Sequence, residues 1–237
     1  MVFGGIQKFT LIDYPDKTAC TIFIKGCNFR CPYCQNASLI KTAENSRLIN
    51  EDEILDFLKT RTGLLDGVCI SGGEPLSYDN REIQEEPDAF IKKVKDMGFL
   101  VKLDTNGSYP DRLKRLINSG NIDYAAMDVK NSPAKYALTV GIADYNVSQI
   151  NESIKILRNS SVPHEFRTTV VRDFHDYEDL LEIAEWISGA EKYFLQRFVD
   201  SATVLHRGLR EYSDTELQQF VQNLKAILPG IQLRGTL

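Results

Sequence analysis

Three of the chain's five cysteines, Cys27, Cys31 and Cys34, fall within eight residues as C-x3-C-x2-C, in the stretch Gly26-Cys27-Asn28-Phe29-Arg30-Cys31-Pro32-Tyr33-Cys34-Gln35-Asn36. Thiolates at this spacing can all turn toward one metal centre, and sulfur ligands suit zinc, copper or an iron–sulfur cluster. The number three narrows the chemistry. A closed structural zinc site takes four ligands, and no second Cys or Cys/His pair follows here. A cubane cluster ordinarily takes four cysteines, so three would leave one iron open to a ligand that is not protein. An open position is what separates a reactive metal site from a structural one. A degenerate zinc loop is the competing reading of the spacing alone.

The elements that must position this loop follow from the hydrophobic pattern. Short β-branched or aromatic runs alternate with longer amphipathic stretches, the βαβ pattern of a parallel sheet. Strands are predicted at Thr18–Ile24, Gly67–Ser71, Phe99–Asp104, Ile122–Asp128, Glu165–Val171 and Lys192–Gln196. Helices are predicted at Glu51–Thr62 with Asn50 as N-cap, and at Glu85–Met97, Asp111–Asn118, Ser148–Asn159, Tyr177–Ile187 and Asp214–Leu228. Six β/α units fit an α/β fold, a partial (β/α)6 barrel. Residues 1–17 read as an N-terminal leader and 26–36 as the cluster-binding loop of one domain spanning 1–237. In such folds functional residues gather at the C-terminal ends of the strands. The cysteine loop, Ser71-Gly72-Gly73-Glu74-Pro75, Asp104-Thr105-Asn106-Gly107, and Asp128 with Lys130 all fall there.

Composition sets outer limits. The formal net charge is −5 and the pI is near 5.3, which argues against nucleic-acid binding, whose footprint is a basic face. Five cysteines without framework spacing point to a reducing compartment. No apolar run approaches the ~20 residues of a membrane span, so a cytoplasmic location without membrane contact is expected. His164, His175 and His206 show no metal spacing and read as strand-edge or loop residues. Cys20 and Cys69 sit in apolar strands as small buried thiols, and Trp186 reads as core.

The cysteine motif, with Tyr33 just before its last cysteine, resembles the signature of the radical S-adenosylmethionine enzymes. The resemblance implies a 4Fe–4S cluster on Cys27, Cys31 and Cys34, its open iron chelated by the amino and carboxylate groups of S-adenosylmethionine, with Tyr33 beside the cofactor. Ser71 to Pro75 is similar to the family's GGE segment, which implies that Gly72, Gly73 and Glu74 bind the methionyl ammonium. Leu103-Asp104-Thr105-Asn106-Gly107 and Met127-Asp128-Val129-Lys130 resemble the glycyl radical enzyme activases. In the pyruvate formate-lyase activase, matching acidic positions help hold a monovalent cation. Asp104, Thr105 and Asp128 inherit that site for Na+ or K+, and Asn106 joins the cofactor pocket. A cation between two facing carboxylates would relieve their mutual repulsion. Lys130 is then either a contact to the ligand carboxylate or a surface charge. Arg167 and Thr169, in Arg167-Thr168-Thr169-Val170-Val171, are implied to face the cofactor, against a plain alternative of core packing with one snorkelling Arg. Where the family has His after strand six this chain has Gln196-Arg197-Phe198, leaving Gln196 as the candidate for the ribose contact.

The leader Gly4 to Pro15, with Phe9-Thr10-Leu11-Ile12-Asp13-Tyr14-Pro15, together with Gly-Cys-Asn-Phe-Arg-Cys and Arg-Thr-Thr-Val-Val, looks most like the anaerobic ribonucleoside-triphosphate reductase activating proteins. That implies reductive cleavage of S-adenosylmethionine to a 5′-deoxyadenosyl radical, with electrons from a flavodoxin or ferredoxin, and a glycyl radical left on the reductase. The alternatives are activation of another glycyl radical enzyme, action on a small molecule, and a non-catalytic metal-binding module. Anaerobically reconstituted protein should carry iron together with acid-labile sulfide; stoichiometric zinc without sulfide would defeat the cluster assignment.

Overall fold

The computed structural model describes residues 2–40, 48–77 and 87–235. Its strands are β1 Phe3–Thr10, β2 Ala19–Ile24, β3 Gly67–Gly72, β4 Leu100–Thr105, β5 Tyr124–Asp128, β6 His164–Val170, β7 Tyr193–Arg197 and β8 Ile231–Arg234. Its helices are α1 Ala37–Ile40, α2 Glu51–Lys59, α3 Pro87–Asp96, α4 Pro110–Ser119, α5 Tyr136–Val140, α6 Ser148–Arg158, α7 Tyr177–Trp186 and α8 Asp214–Leu224. The strands form one sheet in strictly sequential order. β1 is antiparallel to β2, and every later pair is parallel. Helices occupy the crossovers between parallel strands, as parallel pairing requires.

All six strands predicted from the hydrophobic pattern are present, with ends shifted by one or two residues. Two further strands flank them. The leader is not a loose lead-in, because Phe3–Thr10 is a strand paired with the first parallel strand. At the other end β8 extends the sheet beyond the sixth unit. Among the described residues β1 and β8 do not pair with each other, so the barrel is partial, with a gap between them. Glu85 and Glu86 of the predicted second helix lie outside the described residues. No described helix is long and apolar enough to cross a membrane.

Local chemistry explains the helix starts. The Asn50 side chain accepts the Glu53 N–H at 2.8 Å, and Glu51, Asp52 and Glu53 oppose the helix dipole. Capping boxes begin α7 (Asp176 with Asp179) and α8 (Ser213 with Glu216).

The two sheet faces differ in kind. Ile22, Val68, Ile70, Val101, Leu103 and Phe166 are fully buried in the main apolar core. The other face, lining the barrel lumen, carries Thr21, Cys69, Lys102, Asp104, Asp128, Glu165 and Arg167. A polar lumen must satisfy itself internally, since buried charges are tolerated only when paired.

One such pair closes the sheet's late edge. Glu165 of β6 is fully buried, and Arg234 of β8 grips it with two hydrogen bonds of 2.7 and 3.0 Å. The guanidinium lies 3.6 Å from the Phe194 ring centroid on the intervening strand, and the Tyr124 hydroxyl donates to the same carboxylate at 3.0 Å. Burial works against the charged carboxylate, but Arg234 outweighs it and holds the Glu165 pKa below its ordinary value. A carboxyl lowered in this way adds stability above its unfolded pKa and loses it as pH falls through the folded one. Arg234→Met should therefore cost about 3 kcal/mol at neutral pH, measured by denaturant unfolding. The gap to wild type should narrow as acid protonates Glu165. A pH-independent gap would show that the ion pair is not its source.

Candidate functional site

The cysteine loop leaves the C-terminal end of β2 and is held on four sides. From β3, the Gly73 N–H reaches the Ile24 carbonyl at 3.0 Å and the Glu74 N–H reaches the Gly26 carbonyl at 2.8 Å. From the loop after β4, Asn106 donates to Asn28 at 3.0 Å, and Asn28 donates to Ser108 at 3.0 Å. From the end of α5, the Val140 carbonyl takes the Arg30 N–H at 2.8 Å. From the long connection after β7, the Leu205 and His206 N–H groups donate to Cys34 and Pro32, each at 2.9 Å.

Gly72 and Gly73 have a packing reason that sequence alone left open. Gly72 has φ +133°, and a Cβ there would overlap the Ile24 backbone; a Cβ on Gly73 would overlap the Gly26 carbonyl. Their bare backbone lets the β3 loop sit directly against the cysteine loop.

The loop roofs a cavity of about 370 Å³. Every site residue singled out from sequence lines it except Glu74. That includes the three cysteine thiols, none of which is in a disulfide, and Tyr33, Gly72, Gly73, Asn106, Thr169 and Gln196. Glu74 is corrected to a supporting role. Its carboxylate is buried, accepting from the Leu76 N–H (3.0 Å), the Thr105 hydroxyl (2.8 Å) and the Asn106 N–H (2.6 Å). Burial raises its pKa to about 7 against those three donors. It organises the turn after β4 instead of presenting its carboxylate to the cavity.

Strand register generates the charge pattern beneath the roof. Lys102 lies beside Cys69, and Arg167 beside Asp128. Arg167 donates to Asp128 at 2.8 Å and lies 3.5 Å from Asp104. Lys130 donates to the far oxygen of Asp128 at 2.9 Å, Ser71 donates to Asp104 at 3.0 Å, and Lys102 pairs with Asp104 from below. Burial alone would raise both carboxyls, but Arg167 first, with Lys102 for Asp104 and Lys130 for Asp128, holds them below the usual range.

In the structure the repulsion between Asp104 and Asp128 is met by Arg167, Lys102 and Lys130, and the Thr105 hydroxyl donates to Glu74. Of the two readings of Lys130, the surface charge is corrected: its side chain is 17 % exposed and faces the cavity. Arg167 at 12 % exposure is likewise in the lumen, not snorkelling from a core.

The donor set fits a cluster. Ligands to one ion sit about 2.3 Å from it, and among the described residues no three His, Cys, Asp or Glu side chains are grouped for a single ion. The three thiols face one shared volume, and the Cys27 sulfur already accepts the Phe29 N–H at 3.3 Å. Burial pushes the thiols of Cys27 and Cys31 up to about 12 and about 11, a shift that a cationic metal beside the sulfurs would reverse. The buried Tyr33 hydroxyl finds no hydrogen-bond partner among the described residues, as expected of a group awaiting a ligand.

Sequence reasoning gave Lys102 and Asn28 no site role and read His175 as a strand-edge or loop residue. His175 is buried, accepts the Val171 N–H at 3.1 Å on Nδ1, and donates from Nε2 to the Lys130 carbonyl at 2.8 Å, fixing the segment that carries Lys130. Only its tertiary neighbours reveal this. Gln7 of β1 and Asp13 also line the cavity.

Residues 21–187 match the sequence profile of the Radical SAM superfamily. A Methanocaldococcus jannaschii protein, provisionally named a glycyl-radical enzyme activating enzyme, is 36% identical over 239 residues, covering 98% of this chain and 95% of its own. A second protein of that organism with the same kind of provisional name is 27% identical over 191 residues, covering 79% of this chain and 69% of its own. Streptococcus suis SuiB bound to S-adenosylmethionine shares the fold with a TM-score of 0.68 at 11% identity, over 91% of this chain and 52% of that one. A domain of pyruvate-formate lyase-activating enzyme from Bacteroides vulgatus gives 0.54 at 18% identity, over 71% of this chain and 99% of that one.

Gly73→Ala should leave a folded chain, destabilised by about 1–3 kcal/mol from overpacking, that retains several-fold less iron after reconstitution. Full iron retention would show that the cysteine loop does not depend on this contact.

Proposed function

Since this chain belongs to the radical S-adenosylmethionine superfamily, we propose that it is a glycyl radical enzyme activating enzyme whose protein substrate is an anaerobic ribonucleoside-triphosphate reductase. Similarity over nearly the whole length of both chains to a protein named as such an activase supports the broader reading. One observation carries the narrower one. The leader motif that resembles the reductase activators is built into the site, with Gln7 and Asp13 both on the cavity wall.

Cys27, Cys31 and Cys34 would hold a 4Fe–4S cluster, with S-adenosylmethionine beside it. When bound, that pair supplies the chemistry: one electron from a flavodoxin or ferredoxin splits the cosubstrate into methionine and a 5′-deoxyadenosyl radical, which takes a hydrogen atom from a partner glycine Cα and leaves as 5′-deoxyadenosine. The protein's own part is to bind, orient and exclude competing reactions. Lys130 and Arg167 offer N–H donors toward a ligand carboxylate from the cavity floor. Gly72 and Gly73 keep backbone within reach of an ammonium, and Tyr33, Asn106, Thr169 and Gln196 complete the walls. The reaction is assigned to the cytoplasm, with no nucleic-acid or membrane partner.

The test is anaerobic electron paramagnetic resonance on reconstituted, reduced protein with S-adenosylmethionine and the reductase from the same source, with 5′-deoxyadenosine assayed alongside. A glycyl radical doublet on the reductase is the expected result. Deoxyadenosine without the doublet would redirect the search to a pyruvate formate-lyase type partner or a small molecule. Neither product would count against the activase reading.

A further inference from the structure

We propose that Lys102 is a positioning residue that sets the cavity's preference for a ligand bearing a carboxylate. It rests on the reading that the cavity binds S-adenosylmethionine. Lys102 is 2 % exposed on the lumen face of β4, underneath the cavity and not on its wall. Its ammonium pairs with the near oxygen of Asp104 and lies 3.7 Å from the Cys69 sulfur. A buried lysine is rare unless paired, and its position out of ligand reach leaves an indirect role.

The charge balance gives it that role. The cavity wall carries three carboxylates, Asp13, Asp104 and Asp128, against two cations, Lys130 and Arg167. Lys102 is the third cation and brings the sum to zero. The nearby Glu165 and Arg234 neutralise each other, and Glu74 spends its carboxylate on the turn after β4. Geometry acts in the same direction. Arg167 lies 3.5 Å from Asp104 but 2.8 Å from Asp128. With Lys102 holding Asp104 from below, the guanidinium stays beside Asp128 and Lys130. Without Lys102, Asp104 would draw Arg167 down and leave excess negative charge facing the ligand.

The consequence is selective, because S-adenosylmethionine carries one carboxylate beside an ammonium and a sulfonium. Lys102→Met should weaken its binding while leaving decarboxylated S-adenosylmethionine, which keeps both cations, unchanged or tighter. A unit charge about 10 Å away at an effective dielectric of about 20 corresponds to roughly a tenfold change in the affinity ratio of the two ligands. Both affinities are read by anaerobic calorimetry on the reconstituted protein, without turnover.

The double variant Lys102→Met/Asp104→Asn restores the charge balance without restoring the lysine, and should return the ratio toward wild type. An equal loss for both ligands in Lys102→Met would overturn the proposal in favour of a purely structural lysine. So would an unchanged ratio, or a double variant as skewed as the single one. A reconstituted wild-type protein that binds neither ligand would overturn the underlying S-adenosylmethionine reading as well, which separates the two failures.

Discussion

A buried polar lumen has to balance its own charges, and most of this structure follows from that constraint. Asp104 and Asp128 face one cavity from neighbouring strands, where two bare carboxylates would push one another toward protonation. Arg167 bridges them, Lys102 backs the first and Lys130 the second. The Arg167 contacts are produced by parallel register, which sets Arg167 beside Asp128 on the neighbouring strand, while Lys102 and Lys130 each lie two residues along the chain from the carboxylate they pair with, on the same face of the pleat. A one-residue slip in any of these strands would turn its charges into the apolar outer layer. The sheet is therefore locked from both sides, by apolar packing outside and by ion pairing inside.

Over this floor lies a loop that could not hold its own shape. Residues 26–36 contain no helix or strand, so the cysteine positions depend on what surrounds them. Four separate parts of the chain contribute hydrogen bonds, and two glycines bring one of those parts to backbone contact distance. The raised thiol pKa values belong to the same arrangement. Burial of the loop disfavours bare thiolates, and a metal charge beside the sulfurs would offset that cost.

Much of this was legible in the sequence because it is local. The cysteine spacing, the strand-end motifs and the alternation of strands with amphipathic helices all lie within short windows. Fourteen of the fifteen proposed site residues line one cavity as a result. What escaped notice is non-local. β1 reads as a leader because Gly4-Gly5 and the polar Gln7-Lys8 break the pattern of a buried strand; only pairing with β2 makes it one. β8 is four residues long, and its pairing with β7 and the Arg234–Glu165 contact are both tertiary. The five-residue α5 is too short to show a period. Glu74 was misplaced because its motif indicates where it sits in the chain but not which way its side chain turns. Lys102 and His175 look unremarkable until their partners, far away in sequence, are known.

The sequential strand order has a consequence for how the site comes into being. Each strand pairs with its immediate predecessor in the chain, so the sheet can grow vectorially, strand by strand, as the polypeptide leaves the ribosome. The cysteine loop emerges early, directly after β2. Its last support, the Leu205 and His206 contacts from the connection after β7, emerges roughly 170 residues later. Throughout that interval the three thiols stand on an unfinished roof. A chain interrupted before Leu205 would keep the contacts from β3, from the turn after β4 and from α5, but would lack the last of the loop's four supports, the one that reaches Pro32 and Cys34.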